Sequence, residues 1–152
     1  LRPSYWAKGL EPKVGYLRNI RIRNVDVDTA HKSWREILLE HQIPDAEWAT
    51  GRPETPYDSC ISGLPGHPVE DVVIDGLRLR VPGGATTVPD AAKLPERPDV
   101  YPHAGNFGLL PAHGLFVRHA KDITLRNMVV EIRRLDVRPP IAHFDTEGLK
   151  VE

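Results

Sequence analysis

Three times along this chain an apolar pattern of period two slips by one residue. Ile20, Ile22, Val25 and Val27 form the first set. Val72, Ile74, Leu77 and Leu79 form the second, and Ile123, Leu125, Met128 and Val130 the third. Each set has apolar residues at i, i+2, i+5 and i+7, and a fourth copy opens at Leu149 and Val151. Steps of two are strand steps. A step of three keeps both flanking segments facing inward only if one extra residue turns a corner between them. The corner pairs are Arg23-Asn24, Asp75-Gly76 and Arg126-Asn127. Their second members are the residue types that enter the left-handed region most cheaply. Asn24, Gly76 and Asn127 are therefore predicted to have positive φ.

Each copy follows another apolar stretch, at 14–17, 61–64, 114–117 and 141–144. A unit thus offers about three short strands joined by tight corners, and such units must stack to bury their apolar faces. The expected fold is all-β: a right-handed parallel β-helix of about three to four coils, forming one domain over residues 1–152. The copies start 52, 51 and 26 residues apart. The first two intervals therefore carry long loops, 28–58 and 82–113. In the first, Ser33-Trp34-Arg35-Glu36 is a capping box that predicts a short helix from Ser33 to Gln42, stopped before Pro44. The second holds six prolines in 82–113 and reads as an extended covering loop. The third connection, Arg133 to Pro140, is short.

Composition excludes several classes. Fifteen prolines and twelve glycines in 152 residues do not suit a helical bundle. A net charge of -1 gives no basic stripe for nucleic acid. No apolar run reaches the roughly 20 residues of a membrane span. The single cysteine, Cys60, excludes an internal disulfide and reads as an inward small hydrophobe. The chain opens at Leu1 without a methionine and stops inside a strand pattern, so it is expected to continue at both ends.

"GLPGHPVEDVVIDGLRLRVPGG", "YPHAGNFGLLPAHGLFVRHAKDITLRN" and "DVRPP" together resemble the C-terminal coils of bacterial family 28 glycoside hydrolases. These are the polygalacturonase- and rhamnogalacturonase-like enzymes of pectin breakdown. The resemblance runs from about Val14 to Glu152 and implies the parallel β-helix. It also implies a secreted or periplasmic location, an acidic pectin-type polysaccharide as partner, no cofactor, and inverting hydrolysis in the parent enzyme. Inversion needs an acid and a base about 6.5–9.5 Å apart. The family carries its machinery in Asn-Thr-Asp, Asp-Asp, Gly-His-Gly and Arg-Ile-Lys motifs, and none of these occurs here. No catalytic residue is carried over. The chain then reads as a hydrolase fragment. Its alternatives are a non-catalytic β-helix module for polysaccharide binding or assembly, and a half-enzyme completed by another chain. Open β-helix ends are expected to pair with missing N-terminal coils or with a second copy.

Other candidate sites have a structural reading beside the functional one. Seven histidines include His113 and His119, six apart, but no pair has metal-ligand spacing, so no metal is expected. Asp26 and Asp28 alternate on one strand, and Asp71 and Asp75 flank another. Asn19, Asp71 and Asp122 should stack at one corner and bond turn backbone. Asp136 and Arg138 either brace the short corner with a salt bridge or leave Arg138 to recognise an anionic sugar. Tyr101, His103, Phe107 and His113 lie in or beside the second loop. They either stack on sugar rings or pin the loop to the barrel.

Overall fold

The computed structural model describes residues 14–29, 59–98 and 104–152. The helix expected at Ser33–Gln42 and most of the first loop lie outside the described residues. The described chain is mostly β, with only two short turns of 3₁₀ helix, Ala91–Lys93 and Ala104–Phe107. Seven strands follow in order: β1 (Arg18–Asp28), β2 (Ser59–Ser62), β3 (Val69–Gly83), β4 (Leu115–Arg126), β5 (Val129–Arg134), β6 (Ile141–Glu147) and β7 (Lys150–Val151). Every pairing between them is parallel, and together they form one curled sheet.

The slip in the sequence is where the sheet curls. Asn24, Gly76 and Asn127 have φ of 52°, 73° and 52°, as their residue types predict. A second column of left-handed residues runs through Asn19, Asp71, Asp122 and Gly148. The flanking registers Arg18↔Glu70, Ile20↔Val72, Glu70↔Lys121 and Val72↔Ile123 put Asn19, Asp71 and Asp122 opposite one another. A third column pairs His119 with Asp145, at φ of 45° and 49°. Seven of the eight non-glycine residues with positive φ among those described are Asn, Asp or His, the side chains that tolerate this region best. The long strands are thus short straight runs hinged at these residues. Gly76 suits its column for a second reason, because a Cβ there would lie 3.0 Å from Asn24 Oδ1.

Register follows the sequence spacing. Ile22 pairs with Ile74, and Ile74 with Leu125, which in turn pairs with Val151. Matching apolar positions therefore stack, and their side chains fill the inside of the curl. Val72, Ile74, Leu77, Leu79, Ile123 and Leu125 are all buried there, with Ile20, Ile22, Val25 and Val27 packed against them. Each such aliphatic side chain is worth about 1.5–3 kcal/mol when fully removed from water.

The second loop builds a smaller core of its own. Phe107, Leu110 and Ala112 pack on Phe116, with Cys60, Ala91, Leu94 and Ala142 around them. These residues cover the outer side of β4. Six consecutive residues there, Leu115 to Ala120, are buried, whereas on the bare strand β1 partly buried and exposed residues alternate over 20–23 and again over 25–28. Gly114 has to be glycine at this junction, since a Cβ would come within 2.5 Å of the Pro140 carbonyl oxygen.

The outward faces carry charge ladders across neighbouring strands. Arg80 reaches both Asp26 and Asp28, and Arg126 pairs with Asp75 at 3.0 Å. The Asp71 carboxylate accepts from Arg21 Nη2 at 2.8 and 2.9 Å. Asn127 Nδ2 donates to Asp75 Oδ1 at 2.8 Å. Asn19, Asp71 and Asp122 were expected to bond turn backbone; the Asp71 carboxylate instead meets a side chain of the neighbouring strand. The cause is the parallel stacking itself, which brings a guanidinium or carboxylate alongside each corner.

Candidate functional site

Two clusters gather the polar side chains buried beneath the second loop. The first is the pair Asp136 and Arg138, in the short connection between β5 and β6. Arg138 Nη2 donates to Asp136 Oδ2 at 2.8 Å, with both side chains out of solvent. Arg138 Nη1 also donates to the carbonyls of Leu110 (3.1 Å) and Ala112 (3.2 Å). The Ala85 N–H donates to Asp136 Oδ2, and the Val137 N–H to the Ala85 carbonyl. His113 Nδ1 lies 2.7 Å from the Arg138 carbonyl oxygen. The pair therefore clasps three stretches of chain: the end of β3, the run into β4 and the β5–β6 connection. Burial pushes the Asp136 carboxyl up. The hydrogen bonds from the Arg138 side chain and N–H and from the Ala85 N–H outweigh that and leave it at about 2.

The second cluster sits at the third left-handed column. His119 is buried, with Nδ1 2.6 Å from Asp145 Oδ2 and Nε2 3.0 Å from Glu96 Oε1. Beside it Arg118 is fully buried. Its Nε donates to Ser62 Oγ (3.0 Å), and its terminal nitrogens to the Leu94 (3.3 Å) and Pro95 (2.8 Å) carbonyls. The guanidinium lies 4.5 Å from the centre of the Phe107 ring. Burial pulls its pKa down while Glu96 opposes that, and an arginine stays charged regardless.

A cleft of about 260 Å³ opens over His119. Its origin is an insertion. Ser59 pairs with Leu115, 56 residues on, while Val69 pairs with Ala120, only 51 residues on. Five extra residues thus enter between β2 and β3, where β4 and β6 each turn with one left-handed residue. They fold back through mutual backbone bonds of Leu64 and His67 and raise one rim of the cleft. Gly63 lets the insertion leave the sheet, because a Cβ there would meet the His119 carbonyl oxygen at 2.1 Å. The other rim carries Asp145, Glu147 and Lys121, the last two 3.1 Å apart. Glu147 raises the Lys121 pKa.

The residues expected on a sugar-binding wall are distributed otherwise. Tyr101 and His103 lie outside the described residues. Phe107, His113 and Arg138 are 5%, 7% and 3% exposed. All three are inside, because the loop uses them to hold itself to β4 and the β5–β6 connection. His113 and His119 belong to different clusters, and no group of His, Cys, Asp or Glu among the described residues could hold a metal. Sequence reasoning missed the grouping of Glu96, His119 and Asp145. One signal was available: His119 and Asp145 each fall where a strand pattern breaks, in "VRHAK" and "HFDTE". No helix among the described residues is long and apolar enough to cross a membrane. Comparison with protein-family models, curated proteins and solved structures finds no match.

Proposed function

We propose that the curled sheet is a stretch of right-handed parallel β-helix, and that the chain supplies non-catalytic coils of a glycoside hydrolase acting on pectin-type galacturonan. The observation that carries this reading is the constant register. Matching residues pair 52 apart from β1 to β3, 51 from β3 to β4 and β5, and 26 from β4 to β6 and β7. Sheets that stack repeat on repeat with left-handed corners in columns are how a β-helix is built, and the interval change leaves the loops on one corner. Described parts of the stretches that resemble family 28 belong to this frame. "DVRPP" is the clasp at Asp136 and Arg138, and "GLFVRHAKDITLRN" is β4 with its three corners.

Several of the described carboxylates are engaged structurally. Asp71 pairs with Arg21, Asp75 with Arg126 and Asn127, and Asp136 with Arg138, while Glu96 and Asp145 both hold His119. Glycoside hydrolysis needs an acid to protonate the leaving oxygen and a base to activate water. The chain alone is therefore expected to bind an acidic polysaccharide weakly outside the cell and not to cleave it. The assay is reducing-end release from polygalacturonate and rhamnogalacturonan by the purified chain. No release is the expected result. Turnover that disappears in Asp71→Asn or Asp122→Asn would put a catalytic pair in the sheet and overturn the reading.

A second reading, a module that assembles with another chain, is favoured by one feature. The last strands leave Val129, Ile132 and Val151 exposed at 41%, 37% and 57%. An open edge with apolar side chains is a template for another strand. Light scattering of the purified chain over a concentration series tests pairing with a second copy, and a clean monomer at high concentration counts against it.

A further inference from the structure

Two outward columns of charge alternate in sign through the stacked strands. Arg18 pairs with Glu70, Glu70 with Lys121, and Lys121 with Glu147. Five residues on, Arg23 pairs with Asp75, and Asp75 with Arg126. Glu152 completes this second column. Its N–H donates to the Leu125 carbonyl and its carbonyl accepts from the Asn127 N–H, on either side of Arg126. Neighbours in the columns touch: Lys121 Nζ lies 3.1 Å from Glu147 Oε1, and Arg126 Nη2 3.0 Å from Asp75 Oδ2. Both columns thus begin with an arginine on β1 and end, at the fourth level, with a glutamate flanking β7. The outer members are exposed and the inner ones half-buried. Between the columns, Ile20 and Ile22 only partly close one end of the core, and Leu149 and the 57% exposed Val151 the other.

We propose that these two ends meet: the β7 end of one copy takes the β1 end of a second copy, parallel and in register, so that copies stack head to tail. The inference rests on the reading of the chain as a module that assembles, and it names the partner. The even number of levels is what makes a second copy fit. Its Arg18 would stand over Glu147 and its Arg23 over Glu152, so both columns would continue with their signs alternating. Opposite charges directly across a strand pair attract, and like charges there repel. The apolar positions of "RNIRIR" at 18–23 match as well, with Ile20 over Leu149 and Ile22 over Val151. One neighbour is unfavourable: Lys150 would face Arg21, whose guanidinium is already tied to Asp71. The 25–28 half of β1 would stand clear of β5 by a strand's width, so the contact is small and of the weak class. It joins two different surfaces and leaves one of each free, so it extends into rows rather than closing as a dimer.

The test is analytical ultracentrifugation of the purified chain over a concentration and salt series. Mass that rises past a dimer with concentration and falls with added salt is expected. Glu147→Lys with Glu152→Lys reverses one end and should weaken association about tenfold, the effect of two exposed pairs turned from attraction to repulsion. Arg18→Glu with Arg23→Glu reverses the other end and should do the same. An equimolar mixture of the two variants should associate like the parent chain, because each reversed end then finds its complement. Circular dichroism checks that each variant is folded. If a reversal unfolds the chain, Glu147→Gln with Glu152→Gln takes its place and should weaken association about fivefold. A mixture that associates no better than either variant alone, or a neutral pair that changes nothing, overturns the contact. Association that ignores both salt and charge removes these columns and leaves the assembly reading standing, whereas a monomer at every concentration removes both.

Discussion

Arg138–Asp136 and Arg21–Asp71 have the same nitrogen–oxygen distance, 2.8 Å, in opposite surroundings. The first pair is 1% and 0% exposed beneath the second loop; the second is 44% and 42% exposed on a bare face. Length is therefore no guide to what each bond holds. Around Arg138 the carbonyls of Leu110 and Ala112 and the N–H of Ala85 complete a sealed network, so removing one member strands the rest without water. Around Arg21 water replaces whatever is lost, and two side chains must be ordered to form the bond. The same contrast separates the two kinds of face. Where the loop covers β4, polar groups are few, buried and structural. Where the sheet is bare, they are many and individually weak.

The largest expected effect breaks the clasp. Arg138→Ala should destabilise the fold by about 3–5 kcal/mol, since it leaves the Asp136 carboxylate buried and unpaired. Chemical denaturation measures this, and a loss under about 1 kcal/mol would mean that water reaches the clasp. Titration removes the same bond more gently. The Asp136 pKa is about 2 in the fold, below its ordinary value of 3.8, so the native state favours the charged form. Its contribution is fully present above the unfolded pKa and is lost as pH falls through the folded one. That is roughly 2 kcal/mol disappearing between about pH 4 and pH 2. Asp136→Asn should flatten this limb of the stability curve, and an unchanged acid limb would remove Asp136 as its source.

A smaller change sharpens the comparison at a corner. Gly76→Val asks a β-branched residue to adopt φ of 73° with Asn24 Oδ1 3.0 Å from its Cβ. The loss should exceed about 1 kcal/mol, and a variant as stable as the parent would mean the corner can relax. Smallest of all, Arg21→Ala should cost about 0–1 kcal/mol despite its 2.8 Å bond to Asp71. A cost near that of Arg138→Ala would erase the distinction between covered and bare faces.

Much of the frame is legible in the sequence alone. The slip at Asn24, Gly76 and Asn127 is written in residue types whose backbone preferences are local, and local preferences survive into the fold. The spacing of the copies also gave the register, because stacked repeats place like on like. The column at Asn19, Asp71 and Asp122 was legible as a stacked corner, whereas that at His119 and Asp145 was legible only as polar interruptions, since Asp and His have many uses. The covered face was not legible. Arg118 and His119 are a polar pair interrupting the strand pattern between Val117 and Ala120, yet both are buried, because a loop from 20 to 30 residues upstream supplies the Leu94 and Pro95 carbonyls and the Glu96 carboxylate. Such partners are set by how the chain returns on itself, which no local pattern records. The same holds for Phe107, His113 and Arg138, whose residue types fit a sugar cleft as well as they fit a clasp. The insertion at 63–68 was hidden too, because Gly63 and Leu64 read as the end of the apolar stretch at 61–64 until β2 and β3 are both paired to β4.

The central claim is that repeats stack in parallel with like residues in register, and backbone nuclear Overhauser effects test it most directly. The account predicts inter-strand contacts linking Ile22 to Ile74, Ile74 to Leu125 and Leu125 to Val151, with the staggered pattern of parallel strands. Strong Hα–Hα contacts of antiparallel pairing, or contacts shifted by one residue along any of these ladders, would contradict it.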